Sequence, residues 1–164
     1  MRAVIGAMTL AVLGAVAGAS AQPVTTMRES LNYQSARTIV HTCEDMAASH
    51  NWKVAIWVLD ISGQPLYFAA INDPTDTGVK TAEMKARTAL NGAAPSESKA
   101  QNLATPAGAR AAEALGYFPV AGGIPVIRNG HVIGAVGAGG IPPVNGQSMD
   151  QVCAQAGIDA VFKK

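Results

Sequence analysis

Residues 122–137, GGIPVIRNGHVIGAVG, decide the fold of this chain. The pair Asn129-Gly130 separates two apolar runs, and an Asn-Gly pair in that setting is a strong signal for a tight turn between antiparallel strands. The two runs, residues 118–127 and 131–137, are therefore predicted to form a β-hairpin.

A second pair of strands lies upstream of this hairpin. Residues 54–60, VAIWVLD, are a nearly continuous apolar run that is typical of a central strand. The turn residues ISGQ follow at 61–64, and residues 65–71 are predicted to return as a neighbouring strand.

The remaining periodic segments are predicted to be helices. They cover residues 30–50, 77–91, 106–115 and 149–162. Pro106 suits the first turn of a helix, and the polar run 72–76 offers an N-cap. Residues 92–105 are predicted to form a loop with a short helical piece. The order α-β-β-α-(α)-β-β-α predicts an α+β fold, and the clustered hairpins favour an antiparallel sheet with helices on one side.

The first 21 residues have the pattern of a secretory signal peptide. Arg2 precedes an uncharged apolar run, and Ala19-Ser20-Ala21 forms an A-x-A cleavage site. The alternative is a membrane anchor, but the apolar stretch falls short of the roughly 20 residues that a span needs. Removing these residues from the 164 leaves 143, residues 22–164, which is enough for a single domain. No second apolar run is long enough to span a bilayer, so a periplasmic or secreted protein is expected.

The charges argue against a nucleic-acid partner. Twelve basic and 11 acidic residues nearly cancel, and no basic patch contains interleaved aromatic residues. Charged residues are few and glycine and alanine are abundant, a composition that favours tight packing and a buried subunit surface.

The two cysteines, Cys43 and Cys153, lie in the portion that is expected to be exported, where disulfides persist. Each falls on the apolar stripe of its predicted helix. We therefore favour a disulfide between the first and last helices, which would stabilise the fold by about 4 kcal/mol in the chain-entropy model. Two buried thiols that pack as small apolar residues are the alternative. Neither cysteine has a CxxC partner, so metal binding is not expected.

Four motifs, in order along the chain, resemble those of the GlcG/HbpS family. Residues 122–137 are similar to its GGxPI…[DN]G…GAIG hairpin, and residues 54–63 to its VAIxVVDxxG strand and turn. Residues 85–89 are similar to its KAxTA helix, and residues 150–157 to its closing DxxxAxAG helix. Together the motifs extend from residue 54 to residue 157.

The resemblance implies a profilin-like fold, in which helices flank a five-stranded antiparallel sheet, and a homo-oligomer. It also implies haem as the ligand, because several family members bind haem. An exported haem-binding protein with a sequestering or sensing role is therefore the first hypothesis.

Histidine is the commonest protein ligand of haem iron, and the chain has three histidines. His41 is the candidate iron ligand, although it is predicted to lie on the polar side of the first helix, where a solvated surface residue is the alternative. His50 is placed at the C-terminus of that helix, where it suits a capping role. His131 follows the Asn-Gly turn and is predicted to be exposed.

A second candidate site lies on helix 77–91. Thr81, Lys85 and Thr88 are predicted to lie along one side, away from the apolar stripe, where a cation beside two hydroxyls suits a carboxylate or a haem propionate. Lys85 and Thr88 also occupy the KAxTA positions of the resemblance. Arg87 lies nearer the stripe, where pairing with an acid is expected. A solvated helix face is the alternative. This set supports the second hypothesis, a binding protein for a small organic acid or aromatic metabolite.

An enzyme is the least favoured hypothesis. The sequence contains neither GxSxG nor HExxH. Asp60 and Asp150 are explained by their positions in a turn and at a helix start, without a catalytic role. No catalytic residue is therefore assigned.

Overall fold

Four strands and four α-helices form the fold in the computed structural model, which describes residues 25–162. The elements follow the predicted order, and the predicted signal peptide lies outside the described residues. Their bounds are α1 Tyr33–His50, β1 Val54–Asp60, β2 Pro65–Ile71, α2 Asp76–Gly92, a 3₁₀ helix Ser96–Ala104, α3 Pro106–Ala114, β3 Gly123–Arg128, β4 His131–Gly139 and α4 Met149–Phe162.

The strands form one antiparallel sheet in the order β2-β1-β4-β3. The predicted hairpin is confirmed: β3 and β4 pair across Asn129 and Gly130, whose φ angles of 51° and 78° suit a two-residue turn. The five strands that the resemblance implied are wrong for the described residues, where the sheet has four. The reason is that the two hairpins supply two strands each, and no further segment joins the sheet in that part of the chain.

Helices cover both faces of the sheet, so the prediction of helices on one side is wrong. Helix α2 lies against one face of β4, at the positions of Gly137 and Gly139. A Cβ atom at Gly137 would overlap the carbonyl oxygen of Ala82, and one at Gly139 would overlap that of Gly78. Glycine at alternate positions of β4 therefore allows the helix backbone to lie directly on the strand.

The opposite face of the sheet carries the main hydrophobic core under α1 and α4. Val136 and Ala138 of β4 belong to this core, together with Ile39 of α1 and Ile158 of α4. Strand β4 is thus buried on both faces, which explains why its sequence does not alternate between apolar and polar residues.

The predicted disulfide between Cys43 and Cys153 is present in this core. It joins α1 to α4, with 5.2 Å between the two Cα atoms and a sequence separation of 110. Both cysteines are fully buried. A cross-link over a loop of that length restricts the unfolded chain strongly, so the bond helps to hold the outer helix layer together.

Side-chain caps set the starts of the helices. Asn32 accepts a hydrogen bond from the backbone N–H of Ser35 at the start of α1, and Thr75 accepts one from Gly78 at the start of α2. The predicted N-cap within residues 72–76 is therefore Thr75. Within residues 25–162, no helix is both long and apolar enough to cross a membrane.

Candidate functional site

A buried ion pair joins α2 to α4. The Lys85 ammonium lies 2.7 Å from a carboxylate oxygen of Asp150, and the two residues are 4% and 7% exposed. Lys85 also donates to the carbonyl oxygen of Ala138 at 3.1 Å. The second carboxylate oxygen of Asp150 accepts the N–H of Ile141 at 2.9 Å. Buried charges need such partners, and this pair locks the end of β4 between two helices.

The ion pair corrects the predicted position of Lys85. Lys85 does not lie on an exposed helix side, because α2 is covered by the sheet on one side and by the chain before β3 on the next. The ammonium has Asp150 as its counter-charge, so the predicted open cation beside two hydroxyls is not what the fold presents. Asp150 lies in the first turn of α4, as predicted, and its side chain points inward to Lys85 and Ile141, while Ser148 accepts the N–H of Gln151 at 3.3 Å.

Thr88 is also buried rather than exposed, and it holds the chain segment that precedes β3. Its hydroxyl donates to the carbonyl oxygen of Met84 at 2.7 Å and accepts the N–H of Phe118 at 2.8 Å. The buried Ser96 acts on the same segment, since its hydroxyl accepts the N–H of Gly123 at 3.0 Å and donates to Val120. These bonds explain why β3 begins at residue 123 and not at the predicted residue 118.

Gly122 lets this segment pass close to the ion pair. Its φ is +126°, and a Cβ atom there would lie 2.9 Å from the Cβ of Asp150 and 3.0 Å from the Lys85 ammonium. A side chain at this position would therefore be strained and would push the ion pair apart.

The other two residues of the predicted α2 cluster lie elsewhere. Arg87 pairs with Glu83 at 2.7 Å, which confirms the expected acid partner, and donates to the carbonyl oxygen of Gly63 in the β1–β2 turn at 3.2 Å. The Thr81 hydroxyl donates to the carbonyl oxygen of Thr77 in its own helix at 2.8 Å. The structure therefore does not bring Lys85, Arg87 and the two threonines together as one site, and their role in ligand binding stays a prediction.

A groove between the 3₁₀ helix and α3 was not predicted. It has a volume of about 460 Å³, and its lining includes Lys99, Tyr117 and an apolar wall of Ala112, Leu115 and Pro119. Leu115 is 59% exposed. We call this the Lys99–Tyr117 groove. An apolar cleft with a few polar groups is the usual character of a small-molecule site.

The backbone on both sides of Tyr117 is fixed. Tyr117 follows Gly116, which ends α3 with a φ of +65°, and its N–H donates to the carbonyl oxygen of Ala112 at 2.8 Å. The next residue, Phe118, is the one that Thr88 holds. A residue of the recognised KAxTA motif thus positions one wall of the groove.

Lys99 is positioned by the end of α2. Its aliphatic chain crosses Gly92, where a Cβ atom would overlap the Lys99 Cε. Within residues 25–162, no ion pair or hydrogen bond occupies the Lys99 ammonium or the Tyr117 hydroxyl. The groove therefore presents a cation and a phenol that both have free bonding capacity.

A second cavity, of about 640 Å³, lies between the start of the 3₁₀ helix and α4. Its polar lining includes the carboxylates of Glu97 and Asp159 and the amides of Gln151 and Gln155. Among the described residues that line it, none is a histidine, cysteine, methionine or tyrosine.

The three histidines lie at the surface. His41 is 48% exposed beside a polar groove of about 300 Å³, where its Nε2 accepts a hydrogen bond from the Arg37 side chain at 3.3 Å. His50 stacks on Trp52 and its Nδ1 lies 2.9 Å from the carbonyl oxygen of Met46, which agrees with a role at the helix end. His131 is exposed, as predicted. Within residues 25–162, no group of three metal-ligating side chains clusters.

Known proteins resemble this chain over most of its length. Residues 31–159 match the family described as haem degrading protein HbpS-like. Protein GlcG of Escherichia coli (strain K12) is 30% identical over 107 residues, which cover 65% of this chain and 79% of GlcG. The crystal structure of HbpS is similar with a TM-score of 0.75 and 25% identity, over 89% of this chain and 99% of HbpS. The crystal structure of a PduOC–haem complex is similar with a TM-score of 0.69 and 20% identity, over 80% and 94% of the two chains.

The family match covers well over half of the chain and extends from the start of α1 into α4. The chain therefore belongs to the HbpS-like family, as its motifs indicated.

Proposed function

We propose that this member of the HbpS-like family binds haem. The family description refers to haem, and one of the similar structures is a haem complex. The observation that carries the proposal in this chain is the Lys99–Tyr117 groove, because it combines an apolar wall with a cation that has no acidic partner among the described residues.

Three concavities, namely the Lys99–Tyr117 groove, the cavity beside α4 and the groove beside His41, differ in how well they suit haem. A porphyrin is a large apolar disc with two carboxylates, so its site needs apolar walls and favours a cation. The 640 Å³ cavity offers two carboxylates, which repel propionates, and no common iron ligand among its described residues. The groove beside His41 is small, and its lining is polar throughout. The Lys99–Tyr117 groove has both an apolar wall and a cation.

Export is part of the proposal. The signal-like residues 1–21 support it, and the Cys43–Cys153 bond adds support because such bonds persist mainly in oxidising compartments. A periplasmic or secreted haem-binding protein would serve to sequester haem or to sense it, and both roles begin with the same binding step.

Self-association is also part of the proposal. The rings of Trp57 and Phe68, on neighbouring strands β1 and β2, are in contact at 4.7 Å between centroids with a tilt of 41°, and Phe68 is exposed. Within the described chain, the buried Trp57 indole N–H has no hydrogen-bond partner, an uncommon state for tryptophan. A second copy of the chain that packs on this pair would cover the exposed Phe68 ring.

Haem titration of residues 22–164, followed by absorbance, tests the proposal. A saturable Soret shift with one haem per chain is expected, and no spectral change would contradict haem binding. His41→Ala is the matched variant. Loss of the shift in this variant would make His41 the iron ligand, whereas an unchanged titration would place the iron elsewhere.

A further inference from the structure

We infer that Tyr117 is the iron ligand and Lys99 the propionate contact, so that haem binds in the Lys99–Tyr117 groove. This inference rests on the proposed function and assigns it a site. Tyrosinate is an established ligand of haem iron. Among the described residues that line the groove, Tyr117 is the one side chain of an iron-ligating type.

Both cysteines and two of the three histidines are less suited, and His131 lines a separate cavity beside Arg28 and Glu29. Cys43 and Cys153 are joined to each other and buried. His50 is stacked on Trp52 and bonded at the end of α1. His41 has its Nε2 engaged by Arg37 beside a polar lining. Tyr117 differs from the two cysteines, His41 and His50, because its hydroxyl has no hydrogen-bond partner within residues 25–162 and the residue lines a groove with an apolar wall.

Tyr117 is held rigidly enough to serve as a ligand. Its own N–H is bonded to Ala112 in α3, and the N–H of the next residue is bonded to the buried Thr88. The Gly116 turn and these two bonds fix the backbone from both sides. A ligand on a fixed backbone loses little conformational entropy when it binds, which favours affinity.

Lys99 supplies the positive charge that complements a haem propionate. Its stem lies against Gly92 at the C-terminus of α2, and the residue borders the groove. Lys85 has the same charge, but Asp150 neutralises it in a buried pair. Of these two lysines, only Lys99 has no acidic partner among the described residues, so its charge is open to a carboxylate.

Coordination by Tyr117 would exchange the phenol proton for ferric iron and would change no oxidation state. Ligands bind metal ions in their deprotonated form, so the Tyr117 hydroxyl loses its proton to solvent as its oxygen bonds to ferric iron. One O–H bond breaks, one Fe–O bond forms, and no electron is transferred. A propionate accepts hydrogen bonds from Lys99 in the same complex.

Two probes separate the two roles. Ferric haem carries both iron and propionates, whereas metal-free protoporphyrin IX carries the same propionates without iron. Tyr117→Phe is expected to weaken haem binding about tenfold or more, corresponding to the loss of about 1.4 kcal/mol, and to leave protoporphyrin affinity unchanged. Lys99→Gln is expected to weaken the binding of both probes about two- to fivefold, the range of a partly exposed ion pair.

Equal haem affinity in wild type and Tyr117→Phe would overturn the ligand assignment, and unchanged affinity of both probes in Lys99→Gln would overturn the propionate contact. Thermal unfolding of each variant checks that it is folded. Resonance Raman spectra of the wild-type haem complex decide the ligand independently, since phenolate modes are expected and their absence would exclude Tyr117. If the proposed function itself is wrong, the wild-type protein will show no Soret shift, which distinguishes that outcome from failure of the Tyr117 assignment.

Discussion

Two lysines on the same side of the molecule have opposite environments. Lys85 is buried, lies 2.7 Å from Asp150 and also bonds to a strand carbonyl. Lys99 borders an open groove of about 460 Å³ and has no acidic partner among the described residues. A charge whose bonds are complete holds elements together, whereas a charge with unused donors is available to a ligand.

The two regions are connected through α2. Lys85 and Thr88 are one turn apart on this helix; Lys85 holds α4 and the end of β4, while Thr88 holds the segment next to Tyr117. The recognised KAxTA motif thus contributes to structure, and the proposed ligand contacts come from the segment that it positions. The comparison predicts large stability effects at the ion pair and mainly binding effects at the groove.

The largest effect is expected from Asp150→Ala. It leaves Lys85 buried without its counter-charge, so the free energy of unfolding should fall by about 3–5 kcal/mol, measured by urea denaturation. Asp76→Ala is the matched control, because Asp76 pairs with Lys80 at the same 2.7 Å but in an exposed position. It should cost about 1 kcal/mol or less. Equal losses in the two variants would show that burial does not distinguish the two pairs.

An intermediate effect is expected from Thr88→Val. The substitution keeps the shape of the side chain but leaves the N–H of Phe118 without its acceptor, which should lower the free energy of unfolding by about 1–3 kcal/mol. Because Tyr117 is the neighbouring residue, haem affinity should fall as well. Thr81→Val is the control, since the Thr81 hydroxyl bonds only within α2. If the Thr88→Val variant is less stable but binds haem with wild-type affinity, then the hydrogen bond between Thr88 and Phe118 does not position the groove.

The smallest effect on stability is expected from Gly92→Ala. The new methyl group would overlap the Lys99 Cε, and the flexible end of that side chain should move aside at a cost of less than about 1 kcal/mol. Haem affinity should nevertheless fall about twofold, because the ammonium leaves its position at the border of the groove. Thermal unfolding and haem titration measure the two effects. In the Lys99→Gln background the substitution should change nothing, and a further loss there would argue against action through Lys99.

Local signals predicted much of the fold. The Asn-Gly turn, the apolar run of β1 and the helical stripe of α1 each depend on neighbours within a few residues, and the structure confirms the elements that they indicated. The disulfide was predictable because both cysteines lie on apolar stripes of helices that pack together. The start of β3 was missed by five residues, because its position depends on Thr88 and Ser96, which are distant in sequence.

The site was harder to predict. The sequence identifies Lys85 and Thr88 as part of a motif, but it predicts an exposed position for both. A helical projection does not show that a second layer of chain covers the polar side of α2. Tyr117 and Lys99 gave no signal, since they belong to an aperiodic stretch between α2 and β3.

The sequence by itself determined the order of elements, the hairpin, the cysteine pairing and the family, because these depend on local periodicity, turn chemistry and short motifs. The tertiary structure alone decided which lysine is neutralised and which remains available. The physical reason is that the partner of Lys85 lies 65 residues away in α4, whereas the groove forms where the single stretch 99–119 folds back on itself. Burial and pairing of a charge depend on what the fold places beside it, and no local pattern of residues specifies that.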